Sequence, residues 1–334
     1  MRLEIAGGLE RFEGPGRGTI RAPFFLPPLN LILVLEQTLN GLQLGVMLFL
    51  MAAGLTLVFG IMNLVNLAHG SFYMVGAYLA TYFYATTGSY LLGVLLGLAG
   101  TLAVGVAVEL VALRTLYERD HLDQVLATFG LILFFNELAA MLWGRAALYT
   151  NIPEYLSGHV DLLPGLRYPL YRLVIIAVGL AVAGLLWFVV ARTRLGMLIR
   201  AGASNRTMVA ALGINIRFLY TLVFGFGAAL AGLAGLMAGP IYAVQPGMGE
   251  LILIEVFVVI VIGGIGSIRG ALAGALIVGM VDTLGRAFLK PTLATVISPT
   301  AADAAGPALA SMLIYLLMAA VLALRPQGLF PARL

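Results

Sequence analysis

Nine long apolar runs divide this chain, and runs of that kind can be buried only in a protein core or in a bilayer. They occupy 39–61, 71–87, 91–113, 125–143, 170–191, 218–242, 251–262, 271–289 and 308–324. About 20 apolar residues cross the hydrocarbon of a membrane as a helix, and eight of these runs approach or reach that length. Charged residues make up only 10% of the chain, where a soluble domain carries about 25%. No polar shell is available to hold such helices in water. The expectation is an all-α polytopic membrane protein with about eight transmembrane helices plus one re-entrant or broken segment. The exception is 251–262, whose 12 residues suit either a re-entrant half-helix or part of a longer crossing that borrows 248–250. A β-barrel is excluded, because the runs are continuous and not alternating.

One polar stretch breaks the pattern in the second half. ARTRLGMLIRAGASNRTMVAALGIN, from Ala191 to Asn215, and the residues just after it hold Arg192, Arg194, Arg200, Arg206 and Arg217 with no acidic residue among them. Such one-sign clusters face the cytoplasm. The segment is a good helix former, and Gly213 stands where a C-terminal cap glycine belongs. Its arginines either set topology and touch lipid headgroups, or the helix docks a soluble partner. At the other end, residues 1–30 form a polar extension rich in Gly and Pro, with Arg2, Arg11, Arg17 and Arg21 and no apolar core of a signal peptide or span. The chain divides into this extension and an integral-membrane domain, 31–334, in which 192–217 is the cytoplasmic region. Counting crossings back from there leaves the arginine-bearing N-terminus outside: either the extension is translocated, or one of the first segments does not fully cross.

Two stretches carry polarity or glycine into apolar surroundings. GIMNLVNLAHGS places Asn63, Asn66, His69 and Ser71 between or beside Gly60 and Gly70. Polar groups at membrane depth are tolerated where irregular backbone is buried in protein or lines a water-filled cavity, which makes these four candidate pathway residues. VIGGIGSIRGALAGALIVG clusters Gly263, Gly264 and Gly266 before Ser267 and continues into Gly270-x-x-x-Gly274. It fails as a dinucleotide fingerprint, lacking the third glycine and any βαβ pattern. It suits either close helix packing or a broken helix facing a pathway. An apolar run, a glycine-bracketed break and a small-residue helix in both halves hint at internal duplication. Among charges within spans, Glu109 can pair with Arg114, and Asp282 with Arg286 four residues on. Glu255 has no basic neighbour in sequence and is the functional suspect.

Several classes are excluded. Cysteine is absent, no His-Glu-x-x-His or histidine–carboxylate cluster exists, and Ser71 lies two residues from His69, a spacing that does not face one another on a helix. Neither an enzyme, a metal site nor a cofactor is expected. Arginines that border spans do not form a nucleic-acid-binding module. No G-x-x-x-x-G-K-[ST] occurs, so ATP hydrolysis, if it drives transport, belongs to another chain. A secondary transporter or channel for small polar solutes would need none.

At this point three blocks resemble a known family. GLQLGVMLFLMAAGLTLVFGIMNLVNLAHGSFYMVGAYLA, TRLGMLIRAGASNRTMVAALGIN and VVIVIGGIGSIRGALAGALIVG, in that order, look like the H-type permease subunit of bacterial branched-chain amino acid ABC importers. The resemblance implies a multi-pass protein of the bacterial inner membrane and import of branched-chain amino acids or related small amino acids and amides. It also implies an extracytoplasmic substrate-binding protein, a second related permease, two cytoplasmic ATPase subunits and contact with membrane lipids. By matching, the ATPase-docking helix falls on Arg200 to Gly213. Arg194, Gly196, Arg200, Ala203, Asn205, Ala210, Ala211 and Gly213 are then the coupling candidates. The pathway elements fall on Asn63 to Ser71 and on Gly263 to Gly270, and Glu255 joins them on the separate ground given above.

Overall fold

The computed structural model describes residues 31–331, so the extension at 1–30 lies outside the described residues. Eleven α-helices follow one another there: α1 Leu31–Met62, α2 His69–Thr87, α3 Tyr90–Val111, α4 His121–Trp143, α5 Leu170–Arg192, α6 Arg194–Ser204, α7 Arg206–Ala211, α8 Ile216–Ala238, α9 Met248–Gly263, α10 Ile268–Leu293 and α11 Pro299–Leu324. Seven of the described helices, α1, α3, α4, α5, α8, α10 and α11, are long and apolar enough to cross a membrane. The all-α polytopic class stands, with one difference in detail. The segment read as a crossing over 71–87 joins the short segment outside that group of seven. Its helix, α2, begins His-Gly-Ser and carries four tyrosines, and protein covers its first three turns. The short run does borrow 248–250, yet α9 has only 16 residues. That is roughly 24 Å against about 30 Å of hydrocarbon.

Helix ends follow local chemistry that hydropathy does not register. α11 starts well before its apolar run at 308, because Ser298 caps it through the Ala301 amide at 3.3 Å and Pro299 opens it. Proline suits that position, where its missing N–H would have had no partner. The 144–169 connection contains a hairpin of β1 His159–Leu163 and β2 Leu166–Pro169. Pro164 and Gly165 turn it, Gly165 at φ 89°, as a type II turn requires.

The bundle is an inverted repeat. α1 packs antiparallel on α10, with Gly41 against Gly279 and Gly45 against Ala275. α8 packs in the same sense on α3, with Gly232 against Thr101 and Ala228 against Gly105. α2 lies on α3 and α8 as α9 lies on α10 and α1, and α4 and α11 touch α2 and α9. Where the halves meet, Gly54 of α1 faces Gly227 of α8, and Gly70 of α2 faces Gly249 of α9. In lipid, close approach through glycine is what holds helices together. α2 and α9 therefore both begin inside the bundle, N-terminus to N-terminus, and leave toward opposite ends. The duplication hinted at in the sequence has a different correspondence: the break at 63–68 matches 239–247, between α8 and α9, and not the glycines at 264–267. Leu31 starts at the end opposite α6, since Ile32 touches Gly165 of the hairpin before α5.

Candidate functional site

Two regions collect the candidate residues, one at the α2–α9 junction and one around α6 and α7. At the junction, α1 ends on Asn63, whose φ of 51° is the one positive value at a non-glycine among the described residues. Its amide donates to the Phe59 carbonyl at 2.9 Å, closing the helix as asparagine can in the left-handed region. The chain then turns back into the protein. Asn66 is fully buried, and neither its amide nitrogen nor its amide oxygen has a hydrogen-bond partner among the described residues. His69, also buried, donates from Nε2 to the Met51 carbonyl of α1 at 3.1 Å and lies against Gly54. It anchors the start of α2 to the middle of α1. Ser71 is buried in the same turn. Asn63, by contrast, is exposed.

Glu255 is half-buried on α9, within electrostatic reach of Asp282 and Arg286 on α10 and of Tyr73 on α2. Asp282 and Arg286 satisfy each other through bonds of 2.9 and 2.8 Å. The sequence reading did not find Asn136 of α4, which donates to Glu250 and accepts from the Gly247 amide at 3.1 Å. It pins α4 to the first turn of α9. An Asn-Glu pair within the apolar second half of the helix was the available signal.

The glycines after α9 have packing and capping tasks. Gly263 abuts the Gly270 carbonyl, Gly274 abuts that of Val259, and Gly264 and Gly266 take φ of 106° and 81°. Ser267 Oγ caps α10 by accepting from the Gly270 amide at 3.1 Å. The C-terminal segment covers the turn: Leu329 and Phe330 amides donate to the Ile262 and Gly263 carbonyls, each at 2.9 Å. These are orphan acceptors of a helix end, here satisfied by distant backbone. Leucine at Gly264 would strain the backbone and meet the Phe330 carbonyl at 2.8 Å. It is expected to reduce the amount of folded protein in parallel with uptake, read by immunoblot of membranes beside radiolabelled uptake.

The segment 192–217 is not one helix over 200–213 but two, α6 and α7, parted at Asn205. Thr193 Oγ caps α6 through the Gly196 amide at 3.2 Å, and Asn205 Oδ1 caps α7 through the Met208 amide at 2.9 Å. An Asn cap ends one helix and starts the next because its side chain replaces a backbone acceptor. Gly213, at φ 83°, closes α7 as expected. Gly196 is buried against the Val189 and Val190 carbonyls, and Arg200 donates to Val190. Ile199, Gly202 and Val209 face the bundle. Ala210 and Ala211 are exposed, and so are Arg194 and Arg200. Beside them Met197, Met208 and Leu212 are 54%, 59% and 75% exposed. These apolar side chains on a polar segment were missed by the sequence reading, which looked for a small and polar face.

Behind α7 lies a buried network. Glu109 of α3 is wholly buried and binds Arg114 Nη2 at 3.3 Å, Tyr117 Oη at 2.6 Å and Thr221 Oγ1 of α8 at 2.7 Å. At the same end, a cavity of about 1580 Å³ brings Asn63, Gly266 and Ser267 together with Arg200, Ala203 and Asn205. The structure thus splits the pathway candidates: Asn66, His69, Ser71 and Glu255 belong to the junction, while Asn63 and the 264–267 turn sit by α6.

The sequence matches the family described as branched-chain amino acid transport system / permease component over residues 37–322. It is 32% identical over 311 residues to the high-affinity branched-chain amino acid transport system permease protein BraD of Pseudomonas aeruginosa, covering 88% of this chain and 95% of that one. It is 31% identical over 281 residues to LivH of Escherichia coli, of the same description, covering 79% and 90%. The ribose import permease protein RbsC of Escherichia coli is 27% identical over 271 residues, 78% of this chain and 79% of its own. No solved structure matches. The relatives are permease subunits of ABC importers, which work with ATPase and substrate-binding partners, and not enzymes. With seven described helices long and apolar enough to cross a membrane, this chain is accordingly a multi-pass protein of the bacterial inner membrane, and it belongs to the branched-chain amino acid transport permease family.

Proposed function

We propose that this chain is the H-type permease of an importer for branched-chain amino acids, paired with a second related permease. Two cytoplasmic ATPases and an extracytoplasmic substrate-binding protein complete the assembly. The observation that carries the reading is the α6–α7 pair: two short capped helices held against the bundle by Gly196, Gly202 and Val209, presenting Met197, Met208 and Leu212 outward. Exposed apolar side chains framed by arginines mark a protein-docking surface. The groove of an ATPase subunit is its partner, and Arg194, Ala210 and Ala211 complete the contact. α7 runs directly into α8 through Asn215, which caps α8 at the Phe218 amide at 3.0 Å. Motion at the docking pair therefore reaches the core of the bundle. Substrate passes beside the α2–α9 junction, where Asn66, with its unpartnered amide, and Glu255 are the polar groups placed to meet it. The relatives' names span amino acids and a sugar, so the junction offers a path for small polar solutes and the binding protein selects among them.

Met208→Glu and Leu212→Asp test the docking surface without touching a packed side chain. Gly213 is a poor probe, because any side chain at its φ of 83° strains the turn itself. In the reconstituted complex, each variant is expected to remain in the membrane and to lose both uptake and substrate-stimulated ATPase activity by at least tenfold. Normal values of both would remove the docking assignment.

A further inference from the structure

The cavity at the α6 end has a chemistry that transport does not use. Its inner wall is apolar and comes from α1, α5 and α10, with Phe49, Leu180, Ala183, Trp187 and Leu272. Its mouth carries Arg200, Arg206 and Arg269, and no Asp or Glu lines it among the described residues. Arg200 turns one nitrogen to the Val190 carbonyl. Arg206 and Arg269 make no hydrogen bond or ion pair with any described residue. Guanidinium groups that line one cavity without a counter-charge among the described residues attract an anion. An amino acid is a poor occupant: its ammonium finds no carboxylate, and the volume exceeds the roughly 300–1,000 Å³ of small-molecule sites. An amphiphile with an anionic head and a hydrocarbon tail matches both ends of the cavity.

We propose that this cavity holds an anionic phospholipid of the cytoplasmic leaflet, its phosphate at Arg200, Arg206 and Arg269 and an acyl chain along α5. The proposal rests on α6 and α7 facing the cytoplasm. Because Arg200, Ala203 and Asn205 form part of the wall, the lipid braces the coupling helices against the bundle.

The test uses the complete complex in nanodiscs of phosphatidylcholine, or of phosphatidylcholine and phosphatidylglycerol in equal amounts. Lipids retained after mild detergent extraction are counted by native mass spectrometry. The native complex is expected to keep phosphatidylglycerol in preference to phosphatidylcholine, with inorganic phosphate unable to displace it. Arg206→Gln with Arg269→Gln should weaken retention about thirtyfold, from about 1 kcal/mol for each arginine near an anionic lipid and 1.4 kcal/mol per tenfold. Arg145→Gln with Arg167→Gln, at the opposite end, where both arginines are ion-paired, should leave it unchanged. Gly184 lines the apolar wall, and a side chain there meets nothing within 4 Å. Gly184→Leu therefore keeps every arginine, fills the space of the tail and should lower retention as well. Equal retention of the two lipids by the native complex, or unchanged retention in both sets of variants, overturns the proposal. So does cross-linking that places another protein segment in the cavity. Lipid retention is read without ATP, so its failure leaves the docking result for Met208 and Leu212 standing, and the reverse holds too.

Discussion

Alanine at Gly70 or at Gly249 is expected to cost about 3 kcal/mol or more, and leucine at either to remove the folded protein from the membrane. A Cβ on Gly70 collides with the carbonyl oxygen of Gly249, and one on Gly249 with the carbonyl oxygen and carbon of Gly70. Overpacking in a core typically costs 1–3 kcal/mol because side chains shift rotamer to make room. Here the obstructing atoms are backbone on both sides, so two helix starts would have to separate. α2 is further held from behind by α8: Gly76 meets the backbone of Gly232, and Gly235 meets the carbonyl of Tyr73. Against a total stability of about 5–15 kcal/mol, this is a large fraction. Gly130 on α4 is the control, since a Cβ there meets nothing within 4 Å. Alanine at that site should be neutral or stabilising by up to about 1 kcal/mol. Melting followed by size-exclusion chromatography of the purified protein checks both. If Gly70→Ala and Gly249→Ala melt with the native protein, the meeting of α2 and α9 is not where the structure puts it.

Glu109→Ala is the second large effect, at about 3 kcal/mol. Removing one member of a buried ion pair typically costs 3–5 kcal/mol, because the remaining charge stays buried alone. The lower end applies here, because Arg114 is 36% exposed and water takes over part of its solvation. What remains is the loss of acceptors for Tyr117 and Thr221, each about 1 kcal/mol when left unpaired. Glu109→Gln keeps the shape but faces donors with donors and should fall between. Thr221→Val separates the stability of the ion pair from the link to α8, and should cost about 1 kcal/mol. The same melting assay decides: a Glu109→Ala protein with unchanged melting temperature would mean that the network carries no stability.

The Glu109 network also shows where reading a sequence stops. Pairing with Arg114, five residues on, was legible, because a short turn keeps such residues adjacent. Burial was not, because it depends on Thr221 arriving from α8. His69 is similar: a polar residue in an apolar run signals something special, but the Met51 carbonyl it binds is exposed to it only by the turn at Asn63. The glycine stretch at 263–274 was read as packing or pathway, and its burial under Leu329 and Phe330 comes from the far end of the chain.

Membrane class, the apolar runs that include all seven long spanning candidates and the polar segment at 192–217 were determined by the sequence alone, which also counted 71–87 as a crossing. Each depends on the transfer free energy or charge of residues adjacent in the chain, and that sum needs no knowledge of partners. Tertiary structure alone decided that α2 and α9 begin inside the bundle and that 63–68 corresponds to 239–247. It alone decided that α6 and α7 present Met197, Met208 and Leu212. These outcomes rest on contacts such as Gly70 with Gly249 and Gly54 with Gly227, between halves of an inverted repeat. Two glycines carry no pattern that says which other glycine they will meet; only the crossing of the helices brings their backbones into van der Waals contact.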